Sequence, residues 1–256
     1  MTKRRNEGAD LRDDVRRTIE SVWPDGKVEM DFDSDESHFW DVYPKLTAAF
    51  QRIKGAQLFH ERKPEGGPIW FDPSDPEEDS PDDQERSRSY HLFFVCPQGK
   101  AFAYQTEIES FAEPGGEEGG FEKEWPMEAV AGHVRTGWSV AVSLLAPFSV
   151  ITLSDMQIFE DGSTWEPSVE SQGFTETGQR MDLEVEFRKF KGEQAFAVLM
   201  KLRGRICGIL DRYGIGVLPE EEWRKAVPWL RADEQVFAGT AGESLRVLDA
   251  LFFEGL

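Results

Sequence analysis

Apolar residues recur every third or fourth position at Leu11, Val15, Ile19 and Val22, with charge between them, which predicts an amphipathic helix. Pro24-Asp25-Gly26 supplies its stop and turn. Val28, Met30 and Phe32 then alternate with Lys27, Glu29, Asp31 and Asp33, the period of a half-buried strand. A second helix is expected over Ser37 to Lys54, with Pro44 delaying its start and Gly55 ending it.

The middle of the chain has the two-residue period of antiparallel sheet. Tyr90 to Cys96 is apolar and aromatic, Pro97-Gln98-Gly99 is turn chemistry, and Phe102, Tyr104, Thr106 and Ile108 occupy alternate positions, so a β-hairpin is expected. Trp138, Val140, Val142 and Leu144 alternate with Ser139, Ala141 and Ser143; Pro147 interrupts, and Phe148 to Leu153 resumes as a strand. Met156 to Glu160 and Thr164 to Val169 flank Asp161-Gly162, a favoured tight-turn pair. Met181, Leu183, Val185 and Phe187, interleaved with Asp182, Glu184, Glu186 and Arg188, predict a further strand.

Beyond it, Ala195, Leu199, Leu202, Ile206, Ile209 and Tyr213 form a narrow apolar seam at helical spacing, with Gly214 as the C-terminal stop. Gly204 and Gly208, four residues apart on this helix, suggest close packing on a strand. Leu218-Pro219-Glu220 opens a short helix, and Thr240 with Glu243 fits a capping box for a last helix carrying Leu245, Leu248 and Phe252. The expected fold is therefore α+β: a mainly antiparallel sheet with about five helices packed on one of its faces, in a single domain spanning residues 1–256.

Charge changes this picture in two places. The chain of 256 residues has 49 acids and 29 bases, a formal charge of −20, which weighs against general binding of nucleic acid or of an anionic membrane. Eight acids fall between Asp72 and Glu85 with three prolines and no base, and Ala112 to Gly120 is Gly and Glu. Segments 72–88 and 112–124 are expected to be mobile acidic loops, because they lack the apolar surface to offset ordering entropy. Between Phe187 and Arg212 the sign reverses: seven bases and two acids leave a local excess of five positive charges, and Lys201, Arg205 and Arg212 share one helical face. Adaptation to high salt would also produce an acidic surface with no specific partner.

Catalytic and metal templates are tested and fail. Asp31-Phe-Asp33-Ser-Asp35 opens like a calcium loop, but its sixth position is Glu36 and its twelfth Val42, where a turn glycine and a bidentate Glu are needed. Cys96 and Cys207 lie far apart, and His38, His60, His91 and His133 are scattered, so no zinc spacing arises. Gly137-Trp-Ser139-Val-Ala141 resembles a nucleophile elbow in outline, yet no histidine follows it, and the local alternation makes Ser139 a strand residue. Cys96 and His91 sit five apart on one strand and point to opposite faces. No glycine-rich phosphate loop appears, and no catalytic, cofactor or metal residue is assigned.

The expectation is a non-catalytic cytoplasmic protein that binds a basic protein partner, as an immunity-type inhibitor of a toxin would. The candidate partner-binding residues are Asp72, Asp75, Glu77, Glu78, Asp79, Asp82 and Asp83 in the acidic segment and Lys201, Arg205 and Arg212 on the basic helix. Two alternatives stand beside it. One is a hydrolase using paired carboxylates, with a glycan as the candidate substrate, suggested by the abundance of acid and eight tryptophans. The other is a structural or regulatory subunit that docks through Leu245, Leu248 and Phe252 of the terminal helix. The pattern assigns neither membrane association nor an oligomeric state.

Overall fold

The computed structural model describes residues 11–28, 39–60, 89–111, 127–159, 164–165, 183–232 and 245–252. In chain order the elements are α1 (Asp13–Val22), β1 (Lys27–Val28), α2 (Phe39–Gln51), β2 (Ala56–His60), β3 (Tyr90–Pro97), β4 (Ala103–Phe111), β5 (Met127–Ser143), β6 (Phe148–Phe159), β7 (Thr164–Trp165), α3 (Leu183–Lys191), α4 (Glu193–Arg212), β8 (Gly216–Val217), α5 (Glu220–Trp223), β9 (Arg231–Ala232) and α6 (Val247–Leu251). The fold is α+β. Its main sheet runs β2-β3-β5-β6-β7 by antiparallel pairing, while β8 joins β6 in parallel and β1 pairs with β9 in a separate parallel ribbon.

The 17-residue β5 is the spine of this sheet. One of its edges carries β6, from Gly132↔Phe159 to Val142↔Ser149. The other carries β3 and β4 in tandem: Tyr90 to Val95 oppose Ser143 to Trp138, and Ala103 to Phe111 oppose Arg135 to Met127. The expected hairpin between β3 and β4 is therefore corrected. The chain does not reverse at Pro97-Gln98-Gly99; it leaves the edge of β5 there, makes a 3-10 turn over Lys100–Phe102, and resumes in the same direction. The excursion lets Phe102 stack on Phe187, ring centroids 6.0 Å apart. Gly137 lies on β5 where the excursion leaves, and a Cβ added to it would meet the Cys96 Cβ at 2.7 Å and the Val95 carbonyl oxygen at 2.8 Å.

Helices cover both faces of the sheet, not one. Tyr90 and Leu92 point toward a core shared with Val15 and Ile19 of α1, Trp223 of α5 and Leu248 and Leu251 of α6. Phe93 and Val95 point the other way, with Trp138, Val140 and Val142, into a core built with Phe39, Leu46 and Phe50 of α2, Phe187 of α3 and Leu199, Ile206 and Leu210 of α4. This double burial explains why β3 shows no alternation with solvent-facing polar residues: all eight of its positions are buried, His91 included. Phe94, Cys96 and Met156 form a third, small cluster.

Side chains from distant elements satisfy the helix termini. The Trp23 indole donates to the Ala250 carbonyl (2.9 Å) and the Ser143 hydroxyl to that of Leu251 (2.8 Å), occupying two carbonyls at the end of α6. At the start of α1, the backbone N–H of Arg12 donates to Glu222 Oε1 (2.9 Å).

Other expectations change as well. Pro44 lies inside α2, which starts at Phe39. Phe148 to Phe159 is one strand, and β7 pairs with it antiparallel through Gln157↔Trp165; the Asp161-Gly162 turn lies outside the described residues, as do Met30 and Phe32. The strand expected through Leu183, Val185 and Phe187 is helix α3. Thr240 and Glu243 lie outside the described residues, and the chain is extended at Arg246, just after the Leu245 carbonyl accepts from the Val227 N–H at 2.6 Å. The last helix starts only at Val247, capped by the Asp249 carboxylate on the Arg246 N–H (2.7 Å).

Candidate functional site

The site is the outer surface of α3 and α4, and its local sequence explains how it is held. Glu184 and Glu186 stand in the first turn of α3 and Arg188, Lys189 and Lys191 in its last, the order that complements the helix dipole. Gly192, at φ +84°, supplies the left-handed joint between the helices. Down the inner side of α4 run Phe196, Leu199, Leu202, Ile206 and Leu210. The expected seam thus sits slightly rotated, with Phe196 and Leu210 buried in place of Ala195 and Ile209, which are only half-buried. At its end the Gly214 N–H bonds the Asp211 carbonyl and the Ile215 N–H that of Leu210, each at 3.0 Å, a Schellman motif closed by the packing of Ile215 near Leu210.

Polar contacts fix the rotation of α4 about its axis. The Trp138 indole of β5 donates to the Leu199 carbonyl at 2.8 Å, and the Arg203 guanidinium lies over the same indole ring at 5.7 Å. Arg188 of α3 lies 4.0 Å over the ring of Phe196, which ties the two helices together beside their glycine joint. Arg205 Nη1 donates to the Lys54 carbonyl (3.0 Å), joining α4 to the turn that follows α2.

With the inner stripe so fixed, the outer stripe of α4 reads Ala197, Lys201, Gly204, Arg205, Gly208, Arg212, all exposed. The structure brings the three predicted cations Lys201, Arg205 and Arg212 onto one solvent-facing side. The seven predicted acids Asp72, Asp75, Glu77, Glu78, Asp79, Asp82 and Asp83 lie outside the described residues. Gly204 and Gly208 do not pack on a strand: nothing lies within 4 Å of where their Cβ atoms would stand. Mid-helix glycine costs about 1 kcal/mol relative to alanine, and no contact among the described residues offsets it.

Sequence reasoning missed the apolar half of this surface. Among the residues whose side chains are described, the large hydrophobics that stand exposed are Val185 (55%), Phe190 (71%), Val198 (47%) and Met200 (41%), every one on α3 or α4. The signal was available in α3, where acids precede bases, but period-two alternation through Val185 and Phe187 points to a strand. Lys189 lies 5.0 Å from the Phe190 ring, so cation and apolar surface are adjacent.

The other candidate chemistries resolve into structural roles. Ser139 is buried in β5, its hydroxyl hydrogen-bonded to that of Ser154. His91 is buried among Tyr43, Phe93, Phe39 and Trp40, with Tyr43 and Phe93 nearest at 4.6 and 4.8 Å. Cys96 is on the opposite face, where burial pushes its thiol up and the nearby Arg135 opposes only part of that rise. Cys207, on α4, is half-buried. Among the described residues no three His, Cys, Asp or Glu side chains are grouped to hold a metal ion, and no helix is long and apolar enough to cross a membrane. Asp31, Asp33 and Asp35 lie outside those residues. Leu245, Leu248 and Phe252 are buried in the core, so they are not a docking surface. Compared with protein-family models, with curated proteins and with solved structures, the chain matches none.

Proposed function

We propose that this protein is a non-catalytic binding protein whose contact surface is the α3–α4 pair. The observation that carries the reading is the confinement of exposed large apolar side chains, Val185, Phe190, Val198 and Met200, to these two helices, the last three within the stretch of local positive excess. Exposed apolar residues scattered singly need no explanation, whereas their concentration on one helix pair supports an interface. The net charge of −20 supports the complementary part of the reading, in which the acidic segment 72–83 favours approach of a basic protein, as in an immunity-type inhibitor. A paired-carboxylate hydrolase has less support: the buried acid among the described residues is Glu222, and its oxygens are taken by the Arg12 N–H and the Lys225 ammonium.

Site-specific photo-crosslinking in the source cell tests this. A cross-linker at position 190 is expected to trap a discrete protein adduct, and Lys201→Glu with Arg212→Glu is expected to abolish it while the fold survives. The same adducts from a cross-linker at Arg17, an exposed position on α1, would defeat the reading.

A further inference from the structure

We infer that the occupant of the α3–α4 surface is an acidic amphipathic helix carried by the otherwise basic partner protein; this rests on the binding function proposed above and names the chemistry of the segment that docks. Three observations converge on it. The first is shape. Ala197, Gly204 and Gly208 leave the outer stripe of α4 low, with open space above both glycines, so a rod-shaped element can approach the backbone closely along the axis. From Lys201 to Arg212 this lane is about 17 Å long, three helical turns.

The second is charge. Lys201, Arg205 and Arg212 are spaced four and seven residues apart along the lane, and carboxylates at the same spacing on a partner helix meet them in register. Arg188 and Lys189 in the last turn of α3 add to the positive charge of the helix pair. The third is the apolar border. Val198 and Met200 flank the lane on α4, and Phe190 stands most exposed of all just before the Gly192 joint. A partner helix with apolar positions next to its acids buries these side chains, which a purely polar polyanion does not.

Charge also selects against the two rival occupants. A second copy docking by the same face would set Lys201, Arg205 and Arg212 against an equally basic face, since a two-fold interface uses the same patch on both subunits. A nucleic acid meets the same three cations, but it extends past them over the rest of the chain, which carries a net −25, and has no aliphatic side chains to cover Val198 and Met200; a three-turn helix stays within the lane and does.

The experiment uses the full chain and three labelled probes, read by fluorescence anisotropy. One is a designed helix with Glu at the matching spacing and Leu beside it, one is the same helix with Lys for Glu, and one is a single-stranded oligonucleotide. The Glu helix is expected to bind, at least about tenfold tighter than the other two, and to weaken steeply between low and high salt. Lys201→Glu with Arg212→Glu and, separately, Phe190→Ser are each expected to weaken it about tenfold or more. Gly208→Leu is the decisive variant, because it favours the helix and so preserves the fold while filling the lane; it is expected to abolish binding. Equal binding of the Lys helix, preference for the oligonucleotide, full binding by Gly208→Leu, or self-association of the protein lost in the same variants would each overturn the inference. A specific adduct at position 190 with no binding of the Glu helix defeats this inference alone; absence of both defeats the binding function with it.

Discussion

The Trp138 indole N–H and the Leu199 carbonyl oxygen meet at 2.8 Å in the buried space between β5 and α4. Because a sheet residue reaches the backbone of a helix, the bond sets which side of α4 faces the core, and so which side presents Lys201, Arg205 and Arg212. Trp138→Phe keeps most of the packing and deletes the donor. It is expected to cost about 2 kcal/mol, one lost hydrogen bond plus a small cavity, read as a lowered midpoint in urea at unchanged slope. A loss below about 0.5 kcal/mol would mean that packing alone orients the helix.

Glycine-to-alanine changes are expected to have opposite signs at two positions. At Gly137 the new methyl meets the Cys96 Cβ at 2.7 Å and the Phe94 ring and Val95 carbonyl at 2.8 Å, and backbone cannot yield as a flexible side chain does. Gly137→Ala is expected to destabilise by about 1–3 kcal/mol. At Gly204 the methyl meets nothing within 4 Å, and Gly204→Ala is expected to stabilise by up to about 1 kcal/mol. Thermal unfolding of the two variants side by side checks both.

Glu222 joins the start of α1 to α5, accepting from the Arg12 N–H at 2.9 Å and from Lys225 Nζ at 2.6 Å. Glu222→Ala removes the acceptor of both the part-buried Arg12 N–H and the Lys225 ammonium, and is expected to cost about 1–3 kcal/mol. Glu222→Gln retains an acceptor and is expected to lose less. Equal losses in denaturant would show that the carboxylate's charge, rather than its acceptor oxygens, holds the joint.

Burial holds the Cys96 thiol in its neutral form above the ordinary thiol range. The unfolded chain ionises first as pH rises past about 8.5, so the stability from this group is intact below that pH and is lost on going up toward the folded-state value. Cys96→Ala is expected to flatten this alkaline decline. In the native protein a thiol reagent is expected to modify half-buried Cys207 well before Cys96. Faster modification of Cys96 would contradict its place beneath Phe94 and Met156.

How much was legible from the sequence follows from how local each signal is. The helical periods of α1 and α4, the apolar run of β3, the alternation of β5 and the common face of Lys201, Arg205 and Arg212 are patterns within one element, and they survive folding unchanged. The strand misread at Leu183 to Phe187 shows the limit: alternation over seven residues fits either element, and the tie is broken by Phe187 alone reaching the core while Val185 stays in solvent.

Composition and periodicity by themselves determined an α+β chain of strongly acidic character with one basic helix. Tertiary structure alone decided that β3 and β4 share an edge of β5, that helices cover both sheet faces, and that Phe190, Val198, Gly204 and Gly208 look outward. Burial is a relation between elements far apart in the chain, so no window of sequence contains it.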